Sequence, residues 1–281
     1  MTKIYTPEEL NGMSDEERKA LLADGLGQMF SEMANRHVTW LWWTRDTPEL
    51  TDILGHGSAF ILDRGQGPMQ VTAAHVYREY LAHQREHGPL YCQVGNTRVR
   101  DLSRLLIGCG NLHVPRGEPA PEPDIATFRM NPAAVGRVNK LPVIALGDWP
   151  PPPAENQNVM FAGYPGHERI FASPSEINFG FHTGMTGART ITERQITMLI
   201  QREYLVDWTG QGVPPAGYGL GGISGAPLLV PEFGRQGWYF RLGGVVSEAP
   251  GPREPNEVIF EMVIADRADF ILPHGTLAKA L

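Results

Sequence analysis

Residues 221–227 read Gly221-Gly222-Ile223-Ser224-Gly225-Ala226-Pro227 and place a serine in a turn flanked by glycines. Glycine adopts positive φ angles at little cost, so such a turn can aim neighbouring backbone N–H groups at one point. The apolar run that follows, from Ala226 to Val230, is typical of a buried strand. Because a serine hydroxyl is a weak nucleophile at neutral pH, a chemical role for Ser224 would require a base close by in the fold.

A histidine and a carboxylate occur in suitable settings earlier in the chain. Thr72-Ala73-Ala74-His75 follows two strand-like runs, and Pro123-Asp124-Ile125-Ala126 places an acid before an apolar segment. Histidine can accept a proton near pH 7, and a carboxylate can hold its ring in the required tautomer. The candidate catalytic residues are therefore His75, Asp124 and Ser224, and the N–H groups of Gly222 and Ser224 form a candidate oxyanion hole.

In order and spacing, these motifs resemble those of the trypsin-like serine peptidases of the chymotrypsin fold. The gaps between the three residues are 49 and 100 positions. Ala162-Gly163-Tyr164-Pro165 and Gly244-Val245-Val246-Ser247 add to the resemblance, which covers roughly residues 50–272 and is closest in style to bacterial HtrA-like domains without a PDZ domain. It implies an all-β fold of two antiparallel six-stranded β-barrels with the site in the cleft between them. It also implies a serine endopeptidase that cleaves polypeptides through an acyl-enzyme and needs no cofactor and no metal.

The composition of the chain and its helix-capping motifs predict its domain organisation. The 32 glycines and 24 prolines among 281 residues are typical of short strands joined by turns and disfavour a helical bundle. Two capping boxes, Thr6–Glu9 and Ser14–Glu17, predict helices at the start. We expect an N-terminal helical extension over 1–37, a first barrel over 38–148, a linker over 149–157, and a second barrel over 158–281 that ends in a short C-terminal helix at 266–272.

The sequence departs from the secreted members of the resembled family at three positions. Val76 and Leu220 occupy positions where those proteins carry disulfide cysteines, and Ile223 replaces the aspartate that pairs with a freed N-terminus. Activation by that ion pair is therefore not available to this chain. We hypothesise that the N-terminal helix, over residues 15–35, or a regulatory protein partner that binds through it, holds or switches the turn at Ser224.

The resemblance places the specificity pocket at Tyr218, Ser247, Glu248 and Ala249. Tyr218 lies six positions before Ser224, where the family has its pocket-base residue. A tyrosine there would fill space and favour small or medium apolar P1 residues. If Glu248 points inward instead, it would favour basic P1 residues, and the sequence leaves both alternatives open.

The net charge and the cysteine content limit the partners and the cellular compartment that we expect. With 24 basic and 31 acidic residues the net charge is −7, which disfavours nucleic acid as a partner. The chain has no apolar run long enough to span a membrane and no visible secretory signal, so we expect no membrane partner. Its two cysteines, Cys92 and Cys109, do not suggest a disulfide framework, and we expect a reduced, cytoplasmic protein.

Other motifs and other protein classes compete with the peptidase interpretation. The stretch His83-Gln84-Arg85-Glu86-His87 matches the H-x-x-E-H pattern of zinc peptidases, but Gly88-Pro89 ends that helix at once. An α/β-hydrolase needs serine, acid and histidine in that chain order, and the residues that follow Ser224 in that order, Asp266, Asp269 and His274, are crowded near the end of the sequence. A catalytically silent binding or scaffold protein on the same fold, and an esterase with the same triad, remain as alternatives.

Overall fold

The computed structural model describes residues 5–46, 53–112, 122–173, 176–208, 212–215, 218–249 and 261–279. The α-helices in this part of the chain are α1 (Pro7–Asn11), α2 (Asp15–Leu21), α3 (Gly27–Asn35), α4 (Ala74–His87) and α5 (Pro132–Val138). The strands are β1 (Val38–Arg45), β2 (Ile53–Asp63), β3 (Pro68–Ala73), β4 (Leu90–Val94), β5 (Thr97–Val99), β6 (Leu106–Cys109), β7 (Ile125–Arg129), β8 (Val143–Ile144), β9 (Asn158–Gly163), β10 (Arg169–Ser173), β11 (Glu176–Phe179), β12 (His182–Ile191), β13 (Gln195–Leu199), β14 (Pro227–Gly234), β15 (Gly237–Glu248) and β16 (Met262–Arg267).

The second half of the chain forms a closed barrel of six strands. The strands follow one another around it in the order β12, β13, β16, β15, β14 and β9, and neighbouring strands are antiparallel. Its interior is apolar and includes Phe161, Ile196, Leu228 and Val263, which are buried. The predicted all-β fold and the second six-stranded barrel are confirmed.

The first half forms one sheet of eight strands, and its described residues do not close it into the predicted six-stranded barrel. The strands follow the order β5, β4, β1, β2, β3, β7, β6, and β8 pairs with β2. The short strands β5 and β8 extend the sheet beyond the six expected. Helix α4 packs on it by burying Tyr77 and Tyr80 against Trp43 and Phe128.

Both N-terminal capping boxes form as predicted. The Thr6 and Ser14 hydroxyls accept hydrogen bonds from the backbone N–H groups of Glu9 and Glu17, whose carboxylates accept from the cap residues in return. The expected single helix over 15–35 is broken into α2 and α3, because Gly25 takes a φ of +103° between them. Helix α3 then packs on the second barrel through Phe30, whose ring lies 5.2 Å edge-on from that of Trp238.

The predicted C-terminal helix at 266–272 is replaced by the end of a strand and one 3₁₀ turn. Asp266 belongs to β16 and pairs with Gln195 of β13, and only Ala268–Phe270 are helical. Pairing within the barrel has overridden local helical preference. The predicted linker over 149–157 contains no helix or strand. Within the part of the chain that the structure describes, no helix is long and apolar enough to cross a membrane.

Candidate active site

Asp124 holds His75 by two hydrogen bonds at the start of helix α4. The first N–H groups of a helix have no partner within it, and Ala73, which precedes α4, supplies no side-chain cap. Asp124 fills this role from the loop before β7: its carbonyl accepts from Ala74 N at 3.1 Å, and its Oδ1 accepts from His75 N at 2.9 Å. Its Oδ2 accepts from His75 Nδ1 at 2.5 Å. One aspartate therefore caps the helix and orients the imidazole, which leaves Nε2 as the ring nitrogen that can take a proton.

Arg78 adds a positive charge beside this pair. It lies one helical turn after His75, and its guanidinium is 3.5 Å from Asp124 Oδ1. A hydrogen bond from its Nη1 to the carbonyl of Asn111 at 2.9 Å fixes its position. Sequence reasoning missed Arg78, although its i+3 spacing from His75 on a predicted helix was a usable signal.

Residues 220–225, called here the Ser224 turn, adopt a tight conformation that depends on glycine. Ile223 N donates to the carbonyl of Leu220 at 3.1 Å, and Gly222 has a φ of +101°. A Cβ atom at Gly222 would lie only 2.2 Å from Nε2 of His56, whose ring packs behind the turn. Any larger residue would therefore be strained by its backbone conformation and blocked by the imidazole.

The N–H groups of Gly222 and Ser224 have no hydrogen-bond acceptor among the residues that the structure describes. The carbonyls of the same two peptide groups are engaged, because Gly221 O accepts from Gly166 N at 2.8 Å and Ile223 O accepts from Ala226 N at 2.9 Å. In a trans peptide the N–H points away from the carbonyl. Within the described residues neither N–H donates a hydrogen bond, so both can bind an oxygen atom from outside the turn.

The Ser224 turn abuts the end of the strand that leads to His75. Ser58 N donates to the carbonyl of Ser224 at 2.9 Å, and Gly225 packs against Thr72 and Ala73. In the part of the chain described, however, the Ser224 hydroxyl forms no hydrogen bond with His75. Catalytic hydrogen bonds are often long before substrate binds, so this geometry is compatible with a nucleophile and its base.

The four predicted pocket residues lie in different surroundings. Ser247 is buried and donates to the carbonyl of Ile264 at 3.3 Å, whereas Glu248 is exposed at the end of β15. Tyr218 and Ala249 pack against the core of the second barrel. Tyr218 also lines a cavity of about 1220 Å³ between the N-terminal helices and this barrel, and the other three residues do not. Of the four residues, this cavity is therefore lined by Tyr218 alone.

Two half-buried histidines near the Ser224 turn have strongly lowered pKa values. Burial lowers the pKa of His56 to about 4, and the charge of Arg169 adds to the effect. Burial likewise lowers the pKa of His182 to about 4, with a contribution from His167. The rings of His167 and His182 lie 4.3 Å and 5.3 Å from that of Tyr218. Neither His56 nor His182 was singled out from the sequence, since no motif surrounds either residue.

The two histidines of the H-x-x-E-H stretch, His83 and His87, take part in packing contacts. The Nδ1 atom of His83 accepts a hydrogen bond from the indole of Trp43 at 3.0 Å, and the His83 and His87 rings stack 6.1 Å apart. Among the residues that the structure describes, no group of three or more His, Cys, Asp or Glu side chains is placed to hold a metal ion.

Comparison with known proteins finds similarity at the level of solved structures. No family model and no curated protein matches the chain. The thermostable serine protease AL20 from an extremophilic microorganism has a TM-score of 0.43 and 11% identity, covering 84% of this chain and 92% of that chain. The inactive form of a serine-to-alanine mutant of Rv3671c from M. tuberculosis has a TM-score of 0.39 and 14% identity, covering 88% and 87%.

A third similar structure is described by its work on the coupled folding and binding of the Sesbania mosaic virus VPg protein. It has a TM-score of 0.41 and 12% identity, and it covers 83% of this chain and 87% of that chain. At such identities and scores these similarities carry no argument about activity.

Proposed function

We propose that this protein is a serine endopeptidase. Ser224 attacks the peptide carbonyl, while His75 accepts the hydroxyl proton and then gives it to the leaving amine. Asp124 orients the imidazole and stabilises its charged form. The N–H groups of Gly222 and Ser224 bind the oxyanion, and water then hydrolyses the acyl-enzyme. The steps use only groups of this chain, the substrate and one water molecule.

The observation that carries this proposal is the pair of hydrogen bonds from His75 to Asp124. A histidine that only packs does not need its backbone N–H and its Nδ1 held by the two oxygens of one carboxylate, at 2.9 Å and 2.5 Å. The N–H groups of Gly222 and Ser224 also support the proposal. They have no acceptor among the described residues and provide the hydrogen-bond donors that acyl transfer requires.

The proposal extends to the substrate and the compartment. The substrate is a polypeptide, and the exposure of Glu248 favours a P1 preference set by Tyr218, that is, for small or medium apolar residues. Cys92 and Cys109 are free thiols, and burial raises the pKa of each to about 12. Unreactive, unpaired cysteines are compatible with a reducing, intracellular environment.

The test compares peptide and ester hydrolysis by the native protein, by Ser224→Ala and by the control Ser103→Ala. We expect the native protein and the control to cleave members of a mixed peptide library and Ser224→Ala to cleave none. Hydrolysis of esters alone would make the protein an esterase. Absence of both activities in the native protein would favour the silent scaffold.

A further inference from the structure

The carbonyl groups of the Ser224 turn are held from behind by residues that no motif singled out. Gly221 O accepts from Gly166 N at 2.8 Å, and Gly222 O accepts from the Ser58 hydroxyl at 3.0 Å. These two bonds fix the peptide groups on either side of Gly222. Because the Gly222 N–H is antiparallel to the Gly221 carbonyl, the bond from Gly166 also sets the direction of one oxyanion donor.

The Ser58 hydroxyl is itself directed by Tyr164. It is fully buried and accepts a hydrogen bond from Tyr164 N at 3.0 Å, so its own proton is left for Gly222 O. Gly166 is two residues further along the same segment, beyond Pro165, whose ring restricts the backbone. The position of Tyr164 therefore governs both bonds that reach the Ser224 turn.

The side chain of Tyr164 is anchored to the N-terminal helices. Its hydroxyl donates to Asn35 Oδ1 at 3.1 Å and accepts from Lys140 Nζ at 3.1 Å. Lys140 Nζ also donates to the Asn35 carbonyl at 2.7 Å and to Asn35 Oδ1 at 2.8 Å. Asn35 is the last residue of α3, so the Asn35–Lys140–Tyr164 cluster joins the N-terminal extension to both halves of the molecule.

The packing around the cluster makes it a defined support. The Tyr164 ring is almost fully buried, 5.2 Å from Trp40 and 5.6 Å from Phe181. Helix α3 is fixed on the second barrel by buried Phe30 and Ala34. A displacement of α3 would remove Asn35 from the cluster and leave the half-buried amine of Lys140 and the buried phenol of Tyr164 with fewer hydrogen-bond partners, which is costly.

We propose that Asn35, Lys140 and Tyr164 are positioning residues for the oxyanion hole, through which the N-terminal helices keep the Ser224 turn in its active shape. The inference rests on the proposed function and names the regulation of that site. In this proposal the Asn35–Lys140–Tyr164 cluster takes the place of the ion pair between an aspartate and a freed N-terminus, which Ile223 excludes. The cluster does not touch the substrate, and it acts through Tyr164 N on Ser58 and through Gly166 N on Gly221.

The test measures kcat and KM on a cleavable substrate for Tyr164→Phe, Asn35→Leu and Asn35→Asp in the full chain. Tyr164→Phe removes one oxygen and keeps the ring, and Asn35→Asp keeps the acceptor for Lys140. We expect Tyr164→Phe and Asn35→Leu to lower kcat about tenfold with little change in KM, a smaller effect than the loss of an oxyanion donor itself. Asn35→Asp should retain the native kcat.

The affinity of a peptide boronate separates this role from a structural one. A boronate adduct at Ser224 places a negative oxygen in the oxyanion hole, so its Kd should rise about tenfold in Tyr164→Phe, in parallel with the fall in kcat. The control Tyr239→Phe, which removes a hydroxyl bonded to Glu232 on the exposed face of the second barrel, should change neither value.

Three outcomes decide the inference. A fall in kcat and boronate affinity with a native thermal unfolding curve supports it. An unchanged kcat in Tyr164→Phe overturns it, even if Asn35→Leu fails to fold. If the native protein itself neither cleaves the substrate nor binds the boronate, the proposed function has failed, and the two failures are thereby distinguished.

Discussion

At the scale of single residues, Asp124 has the largest chemical influence on the site. Its two oxygens bind the backbone N–H and the ring Nδ1 of His75, so it sets both the position and the tautomer of the imidazole. The guanidinium of Arg78 places a positive charge 3.5 Å from its Oδ1 atom. The site therefore needs a carboxylate at residue 124.

Replacing Asp124 by Asn should lower kcat about 10³–10⁴-fold, because an amide N–H facing Nδ1 favours the tautomer that cannot accept the Ser224 proton. Steady-state kinetics at pH 7.5 measures this effect. The control is Asp46→Asn, which changes an exposed partner of Arg98 and should leave kcat unchanged. A loss smaller than tenfold in Asp124→Asn would remove Asp124 from the mechanism.

His182 should make the stability of the fold depend on pH. Its pKa is lowered from 6.5 to about 4 by burial, so the unfolded chain binds a proton that the folded chain does not. Stability is then lost as the pH falls from 6.5 towards 4, by up to about 3 kcal/mol from this group. Glu168, whose pKa burial raises, works in the opposite direction.

His182→Phe should keep the ring contacts with Phe161 and Tyr218 and remove this titration. Urea unfolding at pH 7.5 and pH 4.5 should therefore show a smaller loss of unfolding free energy in the variant than in the native protein. The matched control is His274→Phe, at an exposed position. If the variant and the native protein lose stability equally over this range, His182 is not held neutral.

At the scale of elements, α3 is the part of the N-terminal extension that the barrel holds. Phe30 is 3% exposed and contacts Trp238 and Phe240 of β15.

Phe30→Ala should lower the free energy of unfolding by about 3–5 kcal/mol, the usual cost of deleting a buried aromatic ring. The control Phe171→Ala, in the exposed strand β10, should cost much less. Equal costs would mean that α3 is not firmly docked.

The elements that the sequence predicted well are those with local signals. Thr6 and Ser14 begin helices because their side chains cap them. The run at Ser58–Leu62 lies in β2, and the run at Ala226–Val230 lies in β14 from Pro227 onward. The kink at Gly25 was missed because an amphipathic spacing tolerates a glycine and does not report its φ angle. The prediction of a C-terminal helix was wrong because Asp266 pairs with Gln195 in the ladder between β13 and β16. This long-range pairing decides the conformation of Asp266.

At the scale of the whole molecule, the two halves meet closely at the Ser224 turn. Gly225 has a φ of +89°, and a Cβ there would lie 2.1 Å from Thr72 Oγ1 and 2.2 Å from the Ser58 carbonyl. Both contacts belong to the first sheet, so the half that carries Ser224 is seated on the half that carries His75 with no room for a methyl group.

Gly225→Ala should therefore lower the free energy of unfolding by about 3 kcal/mol or more, since it adds a clash to an unfavourable backbone conformation. Gly67→Ala is the matched control, because Gly67 has a φ of +99° and open space around it. It should cost only about 1 kcal/mol. Similar losses in the two variants, measured by denaturant unfolding, would show that the halves are not in close contact at Gly225.

The site could be predicted from the sequence only where it is carried by motifs. His75, Asp124 and Ser224 stand in short patterns in a recognisable order, and the structure brings His75 and Asp124 into contact. Ser58, Tyr164 and Gly166 act through backbone groups of residues far away in the chain, and Asn35 is 129 positions from the tyrosine it binds. No local pattern encodes such contacts, which appear only once the strands are paired.

The central claim, that Ser224 is a nucleophile activated by His75, is tested most directly by mass-spectrometric mapping of a fluorophosphonate adduct on the full chain. The native protein should carry one adduct, on Ser224, and labelling should be lost in Ser224→Ala and slowed at least 100-fold in His75→Ala. Labelling at another residue, or equal labelling of the native protein and Ser224→Ala, would contradict the account.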